Sequence, residues 1–232
     1  MSTRQSIFVT TKNVKRFQSA IQKINHKSHG LERICLVVGE VGLGKTVAGI
    51  YFAVKDGAVM LTVWPRMTQH WLLRSLAREL GIDEPAWRTE RLIEQVRNVL
   101  LQEPRTLIFD EVDHFFRDND ANRVDALETM RKIHDTCGVP LVLIGEERIN
   151  KKIERVPRLN DRIIETVRFE KHKESDVKDI IDQLSDYRFE TDAIEKITKS
   201  SDGRIRPIIR LIHKAENAAR IHQLKVVSAK DF

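Results

Sequence analysis

The sequence has little of what marks a secreted or membrane-embedded chain. Its two cysteines, Cys35 and Cys137, lie far apart among apolar neighbours. That excludes a disulfide framework and a zinc-ligand pattern, and both read as small buried residues in a reducing cytoplasm. No apolar run is long enough to span a bilayer, and the opening MSTRQSIFVTTKNVKRF has no apolar stretch before a small-residue cleavage site. Neither a membrane span nor a secretory signal is therefore expected. Aromatic residues make up only 6 %, and neither a base-reading motif nor an aromatic stacking platform stands out. Internal repeats and low-complexity segments are also missing.

Acid is missing from one region. Residues 1–31 contain Arg4, Lys12, Lys15, Arg16, Lys23 and Lys27 but no Asp or Glu, so this leader accounts for the net charge of +6 and the rest of the chain is balanced. Such a leader is either an arm for nucleic-acid phosphate or a solvated helix face whose apolar residues, Ile7, Phe8, Val14, Phe17 and Ile21, pack inward.

What the sequence does have is alternation. Short apolar runs at 33–39, 58–64, 105–113, 139–147 and 166–172 read as strands. Helical spacing occupies 45–55, 68–80 (Trp71, Leu72, Leu76 and Leu80 on one stripe), 89–102 (capped by Thr89) and 122–138. Strands separated by such helices imply parallel pairing with crossovers, an α/β core. After residue 172 every periodic segment is helical, and Ser228 reads as a final helix cap. The expected organisation is a basic leader (1–31), an α/β nucleotide-binding core (32–172) and a small helical lid (173–232).

Two motifs carry chemistry. Gly39-Glu40-Val41-Gly42-Leu43-Gly44-Lys45-Thr46, with Val47 behind it, follows a strand and opens a helix. That is the setting in which glycine-rich backbone cradles phosphate. The helix N-terminus favours the anion, Lys45 reaches the β- and γ-phosphates, and the Thr46 hydroxyl ligates Mg2+. Downstream, Leu107-Ile108-Phe109 ends in Asp110-Glu111, a carboxylate pair where parallel sheets bind ligands. Asp110 is expected to hold the magnesium shell of ATP and Glu111 to deprotonate the attacking water. Glu146 ends the fourth strand where a γ-phosphate sensor belongs; an acid there repels phosphate, so it senses, orients water or pairs with an arginine. Arg158 and Arg162, in PRLNDRI, are candidate fingers for a neighbouring subunit's nucleotide. Arg206, in GRIRPIIRL, is a candidate reporter of nucleotide state from the lid.

Together these features resemble an AAA+ ATPase. More narrowly, FVTTKNVKRF (8–17), LVVGEVGLGKT (36–46), LIFDEVDHF (107–115), LVLIGEERI (141–149), RLNDRI (158–163) and GRIRPIIRL (203–211) resemble the phage Mu transposition protein B family and its transposon relatives. The resemblance implies slow, partner-stimulated ATP hydrolysis and assembly of copies into a helical filament or ring on double-stranded DNA. It also implies presentation of that DNA to a DDE transposase. It places DNA contacts after the second strand and around the following helices, where this sequence offers Arg66, His70, Arg74, Arg88, Thr89 and Arg91. Contacts of this kind grip phosphate rather than read bases. The family carries a further N-terminal DNA-binding domain that is not expected within this sequence; the basic leader is expected to replace part of its function, or a separate domain has been removed. Two other expectations stand beside this one: a replication initiator or helicase loader with the same core, and a nucleotide-gated interaction module indifferent to DNA.

Overall fold

The computed structural model describes residues 8–26, 32–116 and 121–232. Arg4, Ile7 and Lys27 of the basic leader lie outside them. The chain groups into two compact units: Arg16–Gly39 with Lys45–Arg168, and the segment ending at Lys15 with Glu40–Gly44 and Phe169–Phe232.

The larger unit is built on a five-stranded parallel sheet in the order β2-β3-β4-β1-β5. Its strands are β1 (Ile34–Val38), β2 (Val59–Thr62), β3 (Leu107–Asp110), β4 (Leu141–Ile144) and β5 (Ile163–Arg168). Every residue of β1, β3 and β4 is buried. Such unbroken apolar runs form where helices cover both faces of a sheet. The register aligns Leu36 with Leu143 and Phe109 with Leu143, so the strands run in step toward the edge where β1 and β3 end. The crossovers are α2 (Lys45–Asp56), α3 (Gln69–Glu79), α4 (Thr89–Gln102) and α5 (Ala121–Cys137), with short α6 (Ile149–Ile153) and α7 (Pro157–Asn160) before β5. Leu72, Leu73, Leu76 and Ala77 of α3 and Leu92, Val96 and Leu100 of α4 pack into one core with the strands.

Helix α1 (Lys12–Asn25) precedes the sheet. Val14, Phe17, Ala20, Ile21 and Ile24 form its buried stripe, and Phe17 meets Phe52 edge-to-face at 5.1 Å. Lys15, Arg16 and Lys23 are exposed, and Lys23 pairs with Glu165. Over this helix the basic leader is an amphipathic element with a solvated face. The buried guanidinium of Arg33 closes the helix end, donating to the carbonyls of Ile24 (2.7 Å), Asn25 (2.9 Å) and Gly138 (2.8 Å). A cation there satisfies carbonyls that have no helical partner. Both cysteines are free and buried. Burial, with a smaller push from Glu165, raises the Cys35 thiol to about 12, so it stays a packing thiol rather than a nucleophile. Among the described residues no helix is long and apolar enough to cross a membrane.

The second unit holds α8 (Glu174–Leu184), α9 (Thr191–Ser201) and α10 (Ile205–Ile221), packed through Val177, Ile180, Ile181, Ile197, Ile208 and Ile212, with Val9 joining them. The sequence predicts no strand here, yet β6 (Arg188–Phe189) and β7 (Val226–Val227) pair in parallel. Two residues are too few to show a period of two. Three further expectations are corrected. Strand β5 starts at Ile163, three residues before the run read as strand. Thr89 is the first residue of α4, not its cap; Arg88 holds the cap position without a side-chain bond. Ser228 caps only the single 3-10 turn Ala229–Asp231.

Candidate nucleotide site and DNA-facing surface

The site grows from the ends of β1, β3 and β4. β1 runs into the glycine loop, where Gly42 (φ 87°) and Gly44 (φ 94°) hold left-handed backbone that side chains resist. A Cβ at Gly42 would also touch Arg204, 3.5 Å from its Cδ. Around this loop, Ile205 N–H donates to the Gly42 carbonyl at 3.0 Å. The Glu40 carboxylate lies 3.5 Å from Lys171 Nζ and 3.7 Å from the Arg204 guanidinium, both of which also pair with Asp202.

In the sheet unit, α2 begins with Lys45 and Thr46. Lys45 Nζ donates to the Gly39 carbonyl at 2.6 Å. Burial lowers its pKa, while Asp110, Asp113 and Glu146 act in the opposite sense. Asp110 closes β3 almost fully buried, and burial raises its pKa against the hydrogen bonds it receives from the Thr46 hydroxyl and the Glu111 N–H. Lysine, hydroxyl and carboxylate therefore meet at one strand end.

Glu111 follows with φ 56°, a conformation that costs a non-glycine residue free energy and clusters at functional sites. Its N–H donates to Asp110 Oδ1 at 2.9 Å, and its carboxylate lies 3.1 Å from His114 Nε2. The 3-10 turn Val112–Phe116 brings His114 back under Glu111. His114 Nδ1 is buried without a hydrogen-bond partner among the described residues. The same turn buries Asp113, whose Oδ2 accepts the Glu146 N–H at 2.6 Å. Burial raises the Asp113 pKa, and its Oδ1 has no partner among the described residues. Gly145 makes this approach possible, since a Cβ there would lie 2.7 Å from Asp113 Oδ2.

Asp113, His114 and Gly145 are the site-forming residues that sequence reasoning passed over. Their signal was present in DEVDH and LIGEE, but the pairing joins β3 to β4 and has no fixed sequence spacing. The structure holds Glu146 by its backbone, with its side chain exposed, so the expected sensor position is occupied by a tethered main-chain amide.

The candidate fingers separate. Arg162 donates to Asp135 Oδ1 (2.7 Å) and to the Arg158 carbonyl (2.9 Å), and Asp135 also pairs with Arg131. The Arg158 side chain is exposed and makes no ion pair among the described residues. Arg206 is exposed on the first turn of α10.

The candidate DNA residues gather at the starts of α3 and α4. Thr68 caps α3 by accepting the Trp71 N–H at 3.2 Å. His70 Nδ1 lies 3.3 Å from Thr89 Oγ1, and the Arg74 guanidinium sits 4.6 Å from the centroid of the Trp87 ring. Arg66 occupies a tight turn with φ 62°. Trp71, expected on the apolar stripe of α3, is instead 45 % exposed.

The chain is similar to the ATP-dependent target DNA activator B of Escherichia phage Mu, 29 % identical over 75 % of this chain and 55 % of that protein. It is likewise 28 % identical to the Mu-like prophage FluMu DNA transposition protein B of Haemophilus influenzae, over 62 % of this chain and 51 % of that protein. It thus spans about half the length of the curated relatives it matches. Among solved structures, the Aeropyrum pernix ORC2 protein, in ADPNP and ADP complexes, matches with TM-score 0.71 at 17 % identity, over 99 % of this chain and 68 % of that one. The Thermotoga maritima RuvB Holliday junction branch migration motor matches with TM-score 0.61 at 18 % identity, over 97 % and 67 %. These likenesses establish the fold. The family model for the AAA domain matches residues 28–153, and with the strand order, phosphate loop and Asp110-Glu111 edge in place the chain belongs to the AAA domain family, as an AAA+ protein resembling the Mu target DNA activators.

Proposed function

We propose that this protein is an ATPase that assembles with copies of itself on double-stranded DNA and presents that DNA to a DDE transposase. The observation that carries the enzymatic half is the meeting of Lys45, Thr46, Asp110 and Glu111 at one strand edge. The relatives named as target DNA activators support the other half.

Each residue has a task. Lys45 exchanges the Gly39 carbonyl for β- and γ-phosphate oxygens, and the loop from Gly39 to Thr46 supplies backbone N–H groups. The Thr46 hydroxyl and the Asp110 carboxylate are hard oxygen donors that suit magnesium. When bound, magnesium neutralises charge on the phosphates. Glu111 accepts a proton from water; the water oxygen bonds to the γ-phosphorus as the bond to the bridging oxygen breaks, and ADP leaves with that electron pair. Arg158 of one subunit completes the neighbour's site, so ATP binding and assembly favour each other. Arg206 is assigned to reporting nucleotide state from its motif. Arg66, His70, Arg74, Arg88, Thr89 and Arg91 are the DNA-facing set. A replication-initiator role rests on fold likeness alone.

The test is DNA binding and particle size with ATP, a non-hydrolysable analogue and ADP. DNA-bound oligomers are expected with the first two and dispersal with ADP. Glu111→Gln should bind ATP and DNA but turn over slowly. DNA binding indifferent to nucleotide would refute the proposal.

A further inference from the structure

Burying an indole is among the largest apolar gains a fold can make, yet all three tryptophans of this chain are exposed: Trp64 by 58 %, Trp71 by 45 % and Trp87 by 82 %. They do not scatter. Trp64 and Trp71 flank the turn that opens α3, where the Trp64 carbonyl accepts the Met67 N–H at 3.0 Å. Trp71 and Arg74 are three residues apart on that helix and share a face. The Arg74 guanidinium then lies against Trp87, and one of its nitrogens is buried without a hydrogen-bond partner among the described residues. Residues 57–78 contain no Asp or Glu. Arg66, Arg88 and Arg91 make no ion pair among the described residues, although Glu90 stands between the last two. Aromatic surface is thus set among unneutralised cations.

Resting on the DNA-binding reading above, we propose that Trp87, backed by Arg74 and extended by Trp71, is a stacking platform for a nucleobase. One face of the Trp87 ring carries the guanidinium. At 82 % exposure the opposite face is open, and an arginine-backed indole suits the π-face of any base. The bases of a straight duplex cover both of their faces. The platform therefore engages a base that is unpaired, or one at a step opened by a kink. The surface is sequence-tolerant, and it favours distorted DNA over regular duplex. Arginines on both sides of Trp87 in the chain, with no acid at 57–78 and Asp83, Glu84 and Glu90 as the acids near it, leave a basic surface that complements a polyanion.

The experiment measures binding with the non-hydrolysable ATP analogue to three DNAs of equal length: intact duplex, duplex with a central mismatch, and single strand. Each is titrated with salt and carries 2-aminopurine as a stacking probe. Wild type should prefer the mismatched duplex and single strand and quench the probe. Trp87→Ala should lose about ten-fold in affinity for those two and lose the quenching, with the salt slope unchanged; Trp87→Phe should restore most of both. Arg88→Ala should instead weaken all three DNAs and lower the slope by about one. Trp87 is exposed, so a thermal melt should show Trp87→Ala folded. If wild type binds DNA and Trp87→Ala matches it on all three, the platform falls and the DNA reading stands. If wild type binds none, both fall. If Trp87→Ala changes particle size without DNA and leaves DNA affinity intact, the surface joins proteins and the platform is wrong.

Discussion

Replacing Arg158 by alanine should nearly abolish turnover in the assembled state, whereas replacing Arg162 should not. The difference follows from what each side chain must give up to reach a neighbour's phosphate. Arg162 would break its ion pair with Asp135, in which the two side chains are 31 % and 28 % exposed, and its bond to the Arg158 carbonyl. A pair so exposed is worth roughly 1 kcal/mol and the carbonyl bond about as much again. Releasing Arg162 therefore costs about 2 kcal/mol, a roughly thirty-fold smaller population of free guanidinium. The Arg158 side chain makes no such bonds among the described residues. Since a transition-state arginine supplied in trans is worth about 10³–10⁵ in turnover, Arg158→Ala should lower DNA-stimulated hydrolysis by at least about 100-fold and leave the nucleotide affinity of the unassembled subunit near wild type. Arg162→Ala should lower stability by about 1–2 kcal/mol with modest effect on turnover. The assay is phosphate release by each variant alone and by an equimolar mixture of Arg158→Ala with Glu111→Gln. In the mixture, an Arg158→Ala site keeps its own Glu111 and receives Arg158 from the Glu111→Gln neighbour, so activity should rise above the sum of the separate variants. A mixture no better than that sum, or a large loss in Arg162→Ala with normal Arg158→Ala, would refute the reasoning.

Three further outcomes are expected. Burial raises the Asp113 pKa above its unfolded value, so the native state takes up the proton first. Stability should then rise as pH falls through the raised pKa toward the ordinary carboxylate range. Asp113→Asn keeps an acceptor for the Glu146 N–H; it should be more stable than wild type at neutral pH and lose that advantage on acidification, as read by urea unfolding across pH. Gly145→Ala, whose Cβ would press on Asp113 Oδ2 and Ile149, should cost about 1–3 kcal/mol by the same measurement; a cost under about 0.5 kcal/mol would contradict the packing. Lys45→Ala removes a charge-assisted phosphate contact worth about 1.5–3 kcal/mol, so calorimetry should show ATP binding at least about ten-fold weaker.

The parts of this protein that could be read in its sequence are those whose chemistry is local in the chain. A phosphate loop would work through consecutive backbone groups, so Gly39 to Thr46 suggest one by spacing alone, and Asp110-Glu111 stand beside the apolar run that buries their strand. The helices α8, α9 and α10 carry their own period. Contacts whose partners meet only across the sheet were not legible. Asp113 finds the Glu146 amide because β3 and β4 pair with Phe109 opposite Leu143, a register that no motif states. Arg162 likewise looked equivalent to Arg158 until α7 was packed near α5, where Asp135 claims one and leaves the other. The tryptophans mark the same boundary from the other side. A Trp at helical spacing in α3 reads as core because apolar burial is the prior, and only the fold shows that the stripe needed Leu72, Leu73 and Leu76 and had no place for Trp71. Glu146 shows why the limit is physical. An acid beside a phosphate is a contradiction while only its side chain is considered. In the structure its main-chain N–H is what is anchored, and the carboxylate points to solvent. The choice of residue followed from strand position. Its means of attachment followed from a backbone group that all residues but proline share, and that no sequence letter records.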